Sequence, residues 1–277
     1  MGDRQKRFYY WAMAPAIALV GVFFVVPLLQ VLWLSVSEPE LGLQNYRALI
    51  DNSLLHRVWL NTLRVCGLTT LIAVMAGYLV AYVMAHVGED HRTLMISCIV
   101  LTFWLSVLIR AFAWVMILRT EGVLNNVLIS LGVIEQPVSL LRNEIGVLIG
   151  MAHYMVPIAA LPMYSNMQTI SRTYVDAARG LGARTWQTFF WVYLPLTKPG
   201  IVAATVLVFV FSLGFYITPA ILGGGRVVMI AEYIRVSFEE TLRWGYATML
   251  ASTLLIALTL GLALLARVIN VQKVFGA

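Results

Sequence analysis

Residues 65–86 read VCGLTTLIAVMAGYLVAYVMAH, an apolar run that contains no Asp, Glu, Lys or Arg. A helix needs about 20 predominantly apolar residues to cross the hydrocarbon core of a bilayer. The run is also too long and too unalternating for a barrel strand, which has about 9–11 residues. It therefore predicts a transmembrane helix.

Further apolar runs lie on both sides of this one. The first follows the basic cluster Arg4, Lys6 and Arg7, as in a signal peptide, but it is about twice as long as a signal h-region of about 7–15 residues. We predict an all-α, polytopic membrane protein. Its six transmembrane helices are predicted at about residues 8–36, 58–86, 93–118, 145–170, 200–225 and 245–266.

The overall composition fits a chain that lies in a bilayer. Of the 277 residues, 61% are hydrophobic and 12% are charged, whereas about 25% are charged in soluble domains. So few charges cannot cover the surface of a water-soluble particle of this size. This excludes a cytosolic enzyme, a disordered protein and a nucleic-acid binder with a basic surface.

The distribution of Lys and Arg predicts the orientation. With the N-terminus in the cytoplasm, the inner segments carry 10 Lys and Arg residues and the outer loops carry 7. Positive residues favour the cytoplasmic side, so we expect both termini to be cytoplasmic. The bias is modest.

Several kinds of chemistry lack their residues in this sequence. No Asp or Glu lies inside a predicted span, which disfavours a proton-coupled secondary carrier. The phosphate-binding pattern Gly-x-x-x-x-Gly-Lys-Ser/Thr is absent, as are the His-Glu-x-x-His, Cys-x-x-Cys and Gly-x-Ser-x-Gly patterns, which disfavours a membrane-embedded enzyme. Energy for uphill transport would therefore enter through another subunit.

The polar stretch 171–199 predicts two short helices with a break at Gly180–Gly182. Ser171 or Thr173 could cap the first helix, with Asp176 in its opening turn, where an acid suits the helix dipole. Pro195 and Pro199 would end the second helix. Taken by itself, the stretch favours a plain interfacial helix-turn-helix, or small residues that only pack against neighbouring spans.

The spacing within this stretch resembles a known motif. Asp176-Ala177-Ala178, three residues, Gly182, nine residues and Val192-Tyr193-Leu194-Pro195 are similar to the cytoplasmic coupling motif of ABC importer permeases. That motif reads Glu-Ala-Ala, three residues, Gly, nine residues, Ile-x-Leu-Pro. Asp replaces Glu and Val replaces Ile here. Further segments resemble the spermidine/putrescine-type subgroup: Asn61–Leu63, Phe103-Trp104, Leu108–Trp114, Gly122–Asn125 and Thr218–Gly224.

The resemblance implies a type I permease fold over residues 1–277 as a single domain, in a bacterial inner membrane. It implies that the chain is not an enzyme and binds no cofactor, because ATP and magnesium are held by a partner ATPase. The implied partners are a second permease subunit that is a distinct paralogue, two copies of the ATPase and an extracytoplasmic solute-binding protein. The implied solute is a polyamine; another amine, an amino-acid derivative or a phosphonate is the alternative.

The resemblance also implies which residues touch the ATPase. These lie in the coupling loop, residues 171–199, and are Asp176, Ala177, Ala178, Gly180, Gly182, Ala183, Val192, Leu194 and Pro195.

Residues for a substrate path come from the spans themselves. Aromatic faces can hold ammonium groups, so the candidates are Trp104, Tyr154, Phe215 and Tyr216, together with the intramembrane cation Arg110. Most aromatics in membrane spans are packing or belt residues, and for Arg110 we favour an arginine that snorkels or bonds backbone carbonyls between helices. Pro157, Pro162 and Pro219 are expected to kink their helices.

Overall fold

The computed structural model describes residues 3–268, and this part of the chain is helical, with no β-strand. In chain order the helices are α1 (Asp3–Val20), the π-helix π1 (Gly21–Val25), α2 (Val26–Ser37), α3 (Gln44–Asp51), α4 (Ser53–His86), α5 (Glu89–Trp104), α6 (Val107–Leu118), α7 (Val123–Ser130), α8 (Glu144–Gln168), α9 (Arg172–Gly180), α10 (Thr185–Thr188), the π-helix π2 (Phe189–Tyr193), α11 (Leu194–Leu196), α12 (Lys198–Leu213), α13 (Ile217–Gly223), α14 (Ile230–Glu239) and α15 (Trp244–Val268).

The first helical run passes from α1 through π1 into α2. Pro27 has no backbone N–H for an ordinary helical bond, and the N–H of Val26 instead bonds to the carbonyl of Gly21, five residues back. The run is long and apolar enough to cross a membrane over Ala12–Ser37. At its end the Ser35 hydroxyl lies 2.9 Å from the Tyr46 hydroxyl, which connects α2 to α3.

Helices α4 and α8 form the centre of the apolar core. A Cβ atom added at Gly77 of α4 would lie 2.8 Å from the Cβ of Ala159 on α8, so only glycine permits this approach. Met84 of α4 and Met155 and Met163 of α8 are fully buried around this contact. Helix α8 continues through its two internal prolines.

Two of the six predicted spans are broken rather than continuous. Glu89–Trp104 and Val107–Ser130 meet at an angle of 98° in the region predicted as span 93–118. The helix that begins the region 200–225 ends at Leu213, and a separate helix, α13, starts at Ile217. Pro219 lies in the first turn of α13, where a proline without an N–H is tolerated. Hydropathy alone could not predict these breaks because the residues on both sides are apolar.

Within residues 3–268, four helices are long and apolar enough to cross a membrane, and the number is up to six if each bent pair is one span. The four are Ala12–Ser37, Ser53–His86, Glu144–Gln168 and Trp244–Leu264; the bent pairs are Glu89–Trp104 with Val107–Ser130, and Thr185–Leu196 with Lys198–Leu213. The ends of the chain, on which the prediction of cytoplasmic termini depends, lie outside the described residues.

The described chain divides into two compact units. One contains the described residues up to His56 together with Tyr233–Leu262, and the other contains Arg57–Glu232 and the described residues after Leu262. The coupling loop and all the predicted path residues belong to the second unit.

Candidate functional site

The first helix of the predicted coupling loop, α9, begins where the sequence predicts. Ser171 is its N-cap, and the Ser171 hydroxyl accepts a hydrogen bond from the backbone N–H of Thr173 at 3.3 Å. Because α9 already begins at Arg172, Asp176 lies in its second turn and the prediction of an acid in the opening turn is wrong. The helix dipole acts mainly within the first turn, so it gives no reason for an acid at this position.

The predicted break after α9 is a Schellman motif centred on Gly182. The N–H of Gly182 donates to the carbonyl of Arg179 at 2.9 Å, and the N–H of Ala183 donates to the carbonyl of Ala178 at 3.1 Å. Gly182 has a φ of +86°, in the left-handed region that side chains with a Cβ rarely adopt. The glycine of the motif therefore ends α9 sharply and turns the chain towards α10.

The predicted ATPase-contacting residues of α9 and its turn lie largely on the surface. The exposed members are Asp176, Ala177, Gly180 and Gly182, and the half-buried members are Ala178 and Ala183. Leu181, at the tip of the turn, is 90% exposed. These small residues leave room for the backbone of another protein to approach closely.

The second half of the motif is more buried than the first. Val192 lies in π2, and Leu194 and Pro195 lie in α11; all three are half-buried. After them the chain bends by 58° between Thr185–Leu196 and Lys198–Leu213. The motif thus includes both an exposed helix and the bent entry into α12.

A ladder of aromatic rings joins π2 to α4; we define this ring ladder as Tyr78, Tyr82, His86, Phe189 and Tyr193. Tyr82 meets Phe189 and Tyr193 edge-on, with ring centroids 5.7 and 5.6 Å apart. The ring of Tyr78 lies 6.5 Å from that of Phe189, and the ring of His86 lies 5.5 Å from that of Tyr193. The rings of π2 and α4 therefore alternate along the two helices.

A cavity of about 460 Å³ lies next to the ring ladder. Its walls are formed by the last turns of α4, the end of α8, the face of α9 that carries Asp176, and residues of α10 and π2. Among the lining residues are His86, Arg172, Asp176, Arg179 and Tyr193.

Sequence reasoning missed the α4 side of this arrangement. Tyr78, Tyr82 and His86 recur at every fourth position, which places them on one face of a helix. That spacing was a usable signal, but it does not say which helix the rings would meet.

The path candidates are only partly brought together. The Arg110 guanidinium lies 4.8 Å from the ring centroid of Tyr154, and the Tyr154 ring lies 4.8 Å from that of Phe215. Trp104 is 84% exposed at the end of α5, and Tyr216 is partly exposed at the start of α13. Arg110, Tyr154 and Phe215 thus form a continuous stack, and neither Trp104 nor Tyr216 has a described ring contact with that stack.

Arg110 also closes the break between α5 and α6. Its guanidinium donates to the carbonyl oxygens of Thr102 and Leu105, the latter at 3.2 Å. These carbonyls lie at the end of α5, where no following turn of the helix supplies backbone N–H donors. Arg110 is 8% exposed, so its charge is held by backbone carbonyls and an aromatic face.

Comparison with known proteins identifies the family. Residues 73–274 match the family described as the binding-protein-dependent transport system inner membrane component. The chain is 35% identical over 218 residues to the spermidine/putrescine transport system permease protein PotB of Haemophilus influenzae, covering 78% of this chain and 76% of that protein.

Solved structures show the same fold. A bacterial ABC transporter involved in the import of the acidic polysaccharide alginate matches with a TM-score of 0.76 and 20% identity, over 96% of this chain and 98% of that one. The bacterial alginate ABC transporter in complex with alginate pentasaccharide-bound periplasmic protein matches with a TM-score of 0.73 and 20% identity, over 93% and 92%.

The range that matches the family and the stretch that aligns with the permease each cover most of the chain, and both include the loop that contains α9. ATP hydrolysis in this class is carried out by a separate subunit, which fits a chain without a nucleotide motif. The chain therefore belongs to the family of binding-protein-dependent transport system inner membrane components, and it is a multi-pass inner membrane permease subunit of an ABC importer.

Proposed function

We propose that the chain forms half of the translocation path of a polyamine importer. Support for the solute comes from the relative of 35% identity, which is a spermidine/putrescine transport system permease. The Arg110 guanidinium covers one face of the Tyr154 ring, so an ammonium group of the solute would bind to the aromatic surface that Arg110 leaves uncovered. Phe215 extends this aromatic surface, and Trp104 and Tyr216 would line the path near the two helix breaks.

The capped helix α9 carries the proposal for energy coupling. Its exposed surface, with the small residues Ala177, Gly180 and Gly182 near Asp176, fits a groove on a cytoplasmic ATPase. ATP and magnesium bind to that ATPase, and closure of the ATPase pushes α9. The contact residues are Asp176, Ala177, Ala178, Gly180, Gly182 and Ala183, supported from behind by Val192, Leu194 and Pro195.

The proposed assembly contains this chain, a second permease subunit that is a distinct paralogue, two copies of the ATPase and an extracytoplasmic solute-binding protein. A structural neighbour has been solved in complex with a solute-bound periplasmic protein, which supports the last of these partners. The conformational switch is then a two-state element biased by ATP.

We further propose six spans, with one span contributed by each bent pair, both termini in the cytoplasm and one permease domain over residues 1–277. The boundaries between the two compact units fall inside α4, α14 and α15, and continuous helices at every boundary support a single domain. Labelling of Asp176→Cys by a membrane-impermeant thiol reagent tests the orientation. Reaction from the cytoplasmic side is expected, and reaction from outside would overturn both the topology and the coupling role.

Reconstitution tests the function as a whole. The complete importer in proteoliposomes is expected to accumulate labelled spermidine when ATP is enclosed with the ATPase and the binding protein is supplied on the other side. Spermidine or putrescine should also raise the melting temperature of the binding protein. Stabilisation by 2-aminoethylphosphonate or an amino acid instead would retain the importer and replace the solute, whereas purification without an ATPase would contradict the importer.

A further inference from the structure

We propose that the ring ladder is the joint through which a displacement of α9 reaches α4, and that Tyr82 is the positioning residue of this joint. The proposal rests on the proposed coupling role of α9, because it assigns a task to the rings behind that helix.

The route begins with the packing of α9. Helix α9 packs against α10 and π2, which follow it directly in the chain. The cavity of about 460 Å³ takes up part of the space between α9 and the ends of α4 and α8. A displacement of α9 is therefore transmitted through its packed contact with π2. Towards α4 and α8 the cavity interrupts the packing, so less of the displacement is transmitted directly.

The rings then carry the displacement from π2 to α4. Tyr82 meets Phe189 at 82° and Tyr193 at 90°, so its ring is inserted edge-on between two rings of π2. Sliding of π2 along α4 would force a ring of one helix past a ring of the other. Interlocked rings resist such sliding, so the two helices are expected to move together.

The end of α4 that carries Tyr82 is anchored in the core. Ala81 and Met84, which lie one and two residues from Tyr82, are fully buried in the same cluster as Met163 and Met167 of α8. Close-packed interiors are hardly compressible and transmit displacement. Movement of this end of α4 is thereby passed to the central helices of the permease.

The described contacts between Tyr82 and π2 are ring contacts. Its phenyl ring is therefore expected to be sufficient and its hydroxyl dispensable, which distinguishes the joint from a hydrogen-bonded switch. Tyr78 adds a polar contact at the other end, where its hydroxyl lies 3.3 Å from that of Thr197.

The experiment compares Tyr82→Leu with Tyr82→Phe in the complete importer, reconstituted with labelled spermidine as solute. Tyr82→Leu is expected to keep basal ATP hydrolysis and to lower both its stimulation by the loaded binding protein and the spermidine carried per ATP. The expected fall is about fivefold or more, the lower end of typical coupling between sites. Tyr82→Phe is expected to remain within about twofold of the wild type, since the ring contacts persist.

Two further variants keep the result interpretable. Leu79→Ala truncates an exposed apolar side chain one turn away on α4, and it should behave as the wild type. His86→Leu removes an exposed ring at the end of α4 and tests the joint if Tyr82→Leu does not assemble. It is expected to lower the transport-to-hydrolysis ratio in the same direction as Tyr82→Leu.

The outcomes separate this inference from the proposed function. Unchanged ratios in both Tyr82→Leu and His86→Leu, or equal losses of hydrolysis and transport, would overturn the joint while the coupling helix stands. An importer for a different solute would fail to carry spermidine with the wild-type chain itself. In that case the role of the ring ladder is tested only by how strongly the loaded binding protein stimulates ATP hydrolysis in each variant.

Discussion

The chain ends two helices abruptly, and it does so in opposite ways. After α9 the break is exposed, and Gly182 ends the helix through a left-handed turn that bonds the last carbonyls to backbone N–H groups. After α5 the break lies in a predicted span, and the carbonyls of Thr102 and Leu105 are bonded by the side chain of Arg110. The two helix ends differ because a carbonyl in the hydrocarbon region of a bilayer has no water with which to form a hydrogen bond. It therefore needs a donor from the protein.

This difference predicts which of the two helix ends is more sensitive to substitution. A break that depends on one buried, charged side chain should be more fragile than one that depends on a backbone turn at the surface. Four substitutions test this ranking, in order of decreasing effect on the folded state.

Arg110→Met should have the largest effect, because it leaves two carbonyls without donors. Hydrogen bonds to charged groups contribute about 1.5–3 kcal/mol each, so the free energy of unfolding should fall by about 3 kcal/mol or more. Unfolding in mixed micelles titrated with SDS measures this. Arg119→Met is the control, since Arg119 is exposed at the end of α6, and it should change little. Equal stability of both variants would contradict the capping role.

Gly182→Ala should have the next largest effect, and it should be local. A left-handed conformation costs a residue with a Cβ about 1–2 kcal/mol, while no atom within 4 Å would obstruct the new methyl group. Amide hydrogen exchange in a peptide covering α9 should therefore accelerate about 5–30-fold.

The matched control is Gly180→Ala, two residues earlier. A Cβ there also meets no atom within 4 Å, but Gly180 has no positive φ. Exchange in α9 should stay the same or slow down, because alanine is the better helix former. Acceleration in both variants would show that added bulk, and not backbone conformation, is responsible.

Ser171→Ala tests the other end of α9. Loss of the N-cap hydrogen bond to Thr173 should destabilise the helix by about 1 kcal/mol. The same exchange measurement should show a smaller acceleration than in Gly182→Ala, and Ser171→Asp should restore protection because Asp is also a good N-cap. A failure of Asp to restore it would argue against capping.

Asp176→Lys should have the smallest effect on the fold and a large one on function. Exposed substitutions usually change stability by less than about 0.5 kcal/mol, and Asp176 is exposed. The variant should insert and resist denaturation as the wild type does, yet transport per ATP should collapse in proteoliposomes. Normal transport would remove Asp176 from the ATPase contact.

The same contrast explains what the sequence could predict. The cap at Ser171 and the break at Gly182 follow from local chemistry, so both were predictable, although Asp176 falls one turn later than expected. The break at residues 105–106 has no proline or glycine, and its signals in the sequence are Ser106, a residue type that often begins a helix, and the charge of Arg110.

The ring ladder was out of reach for a related reason. Tyr82 and Tyr193 are far apart in the chain, and their pairing depends on how α4 meets π2. The aromatic spacing on α4 predicts a face, but the identity of its partner is a tertiary property. The family, by contrast, was readable because the coupling motif is a local pattern of small residues at fixed spacing.

The exposed turn after α9 has a consequence for how quickly the unassembled subunit is degraded in the cell. Leu181 projects a leucine side chain that is 90% exposed, close in sequence to Trp186 and Trp191, which are 55% and 76% exposed. Unassembled subunits that expose apolar side chains in this way are recognised by chaperones and proteases. Under the proposed ATPase contact, copies of the permease made in excess of the ATPase would keep this turn uncovered and be degraded, so that the amount of ATPase would set the amount of permease.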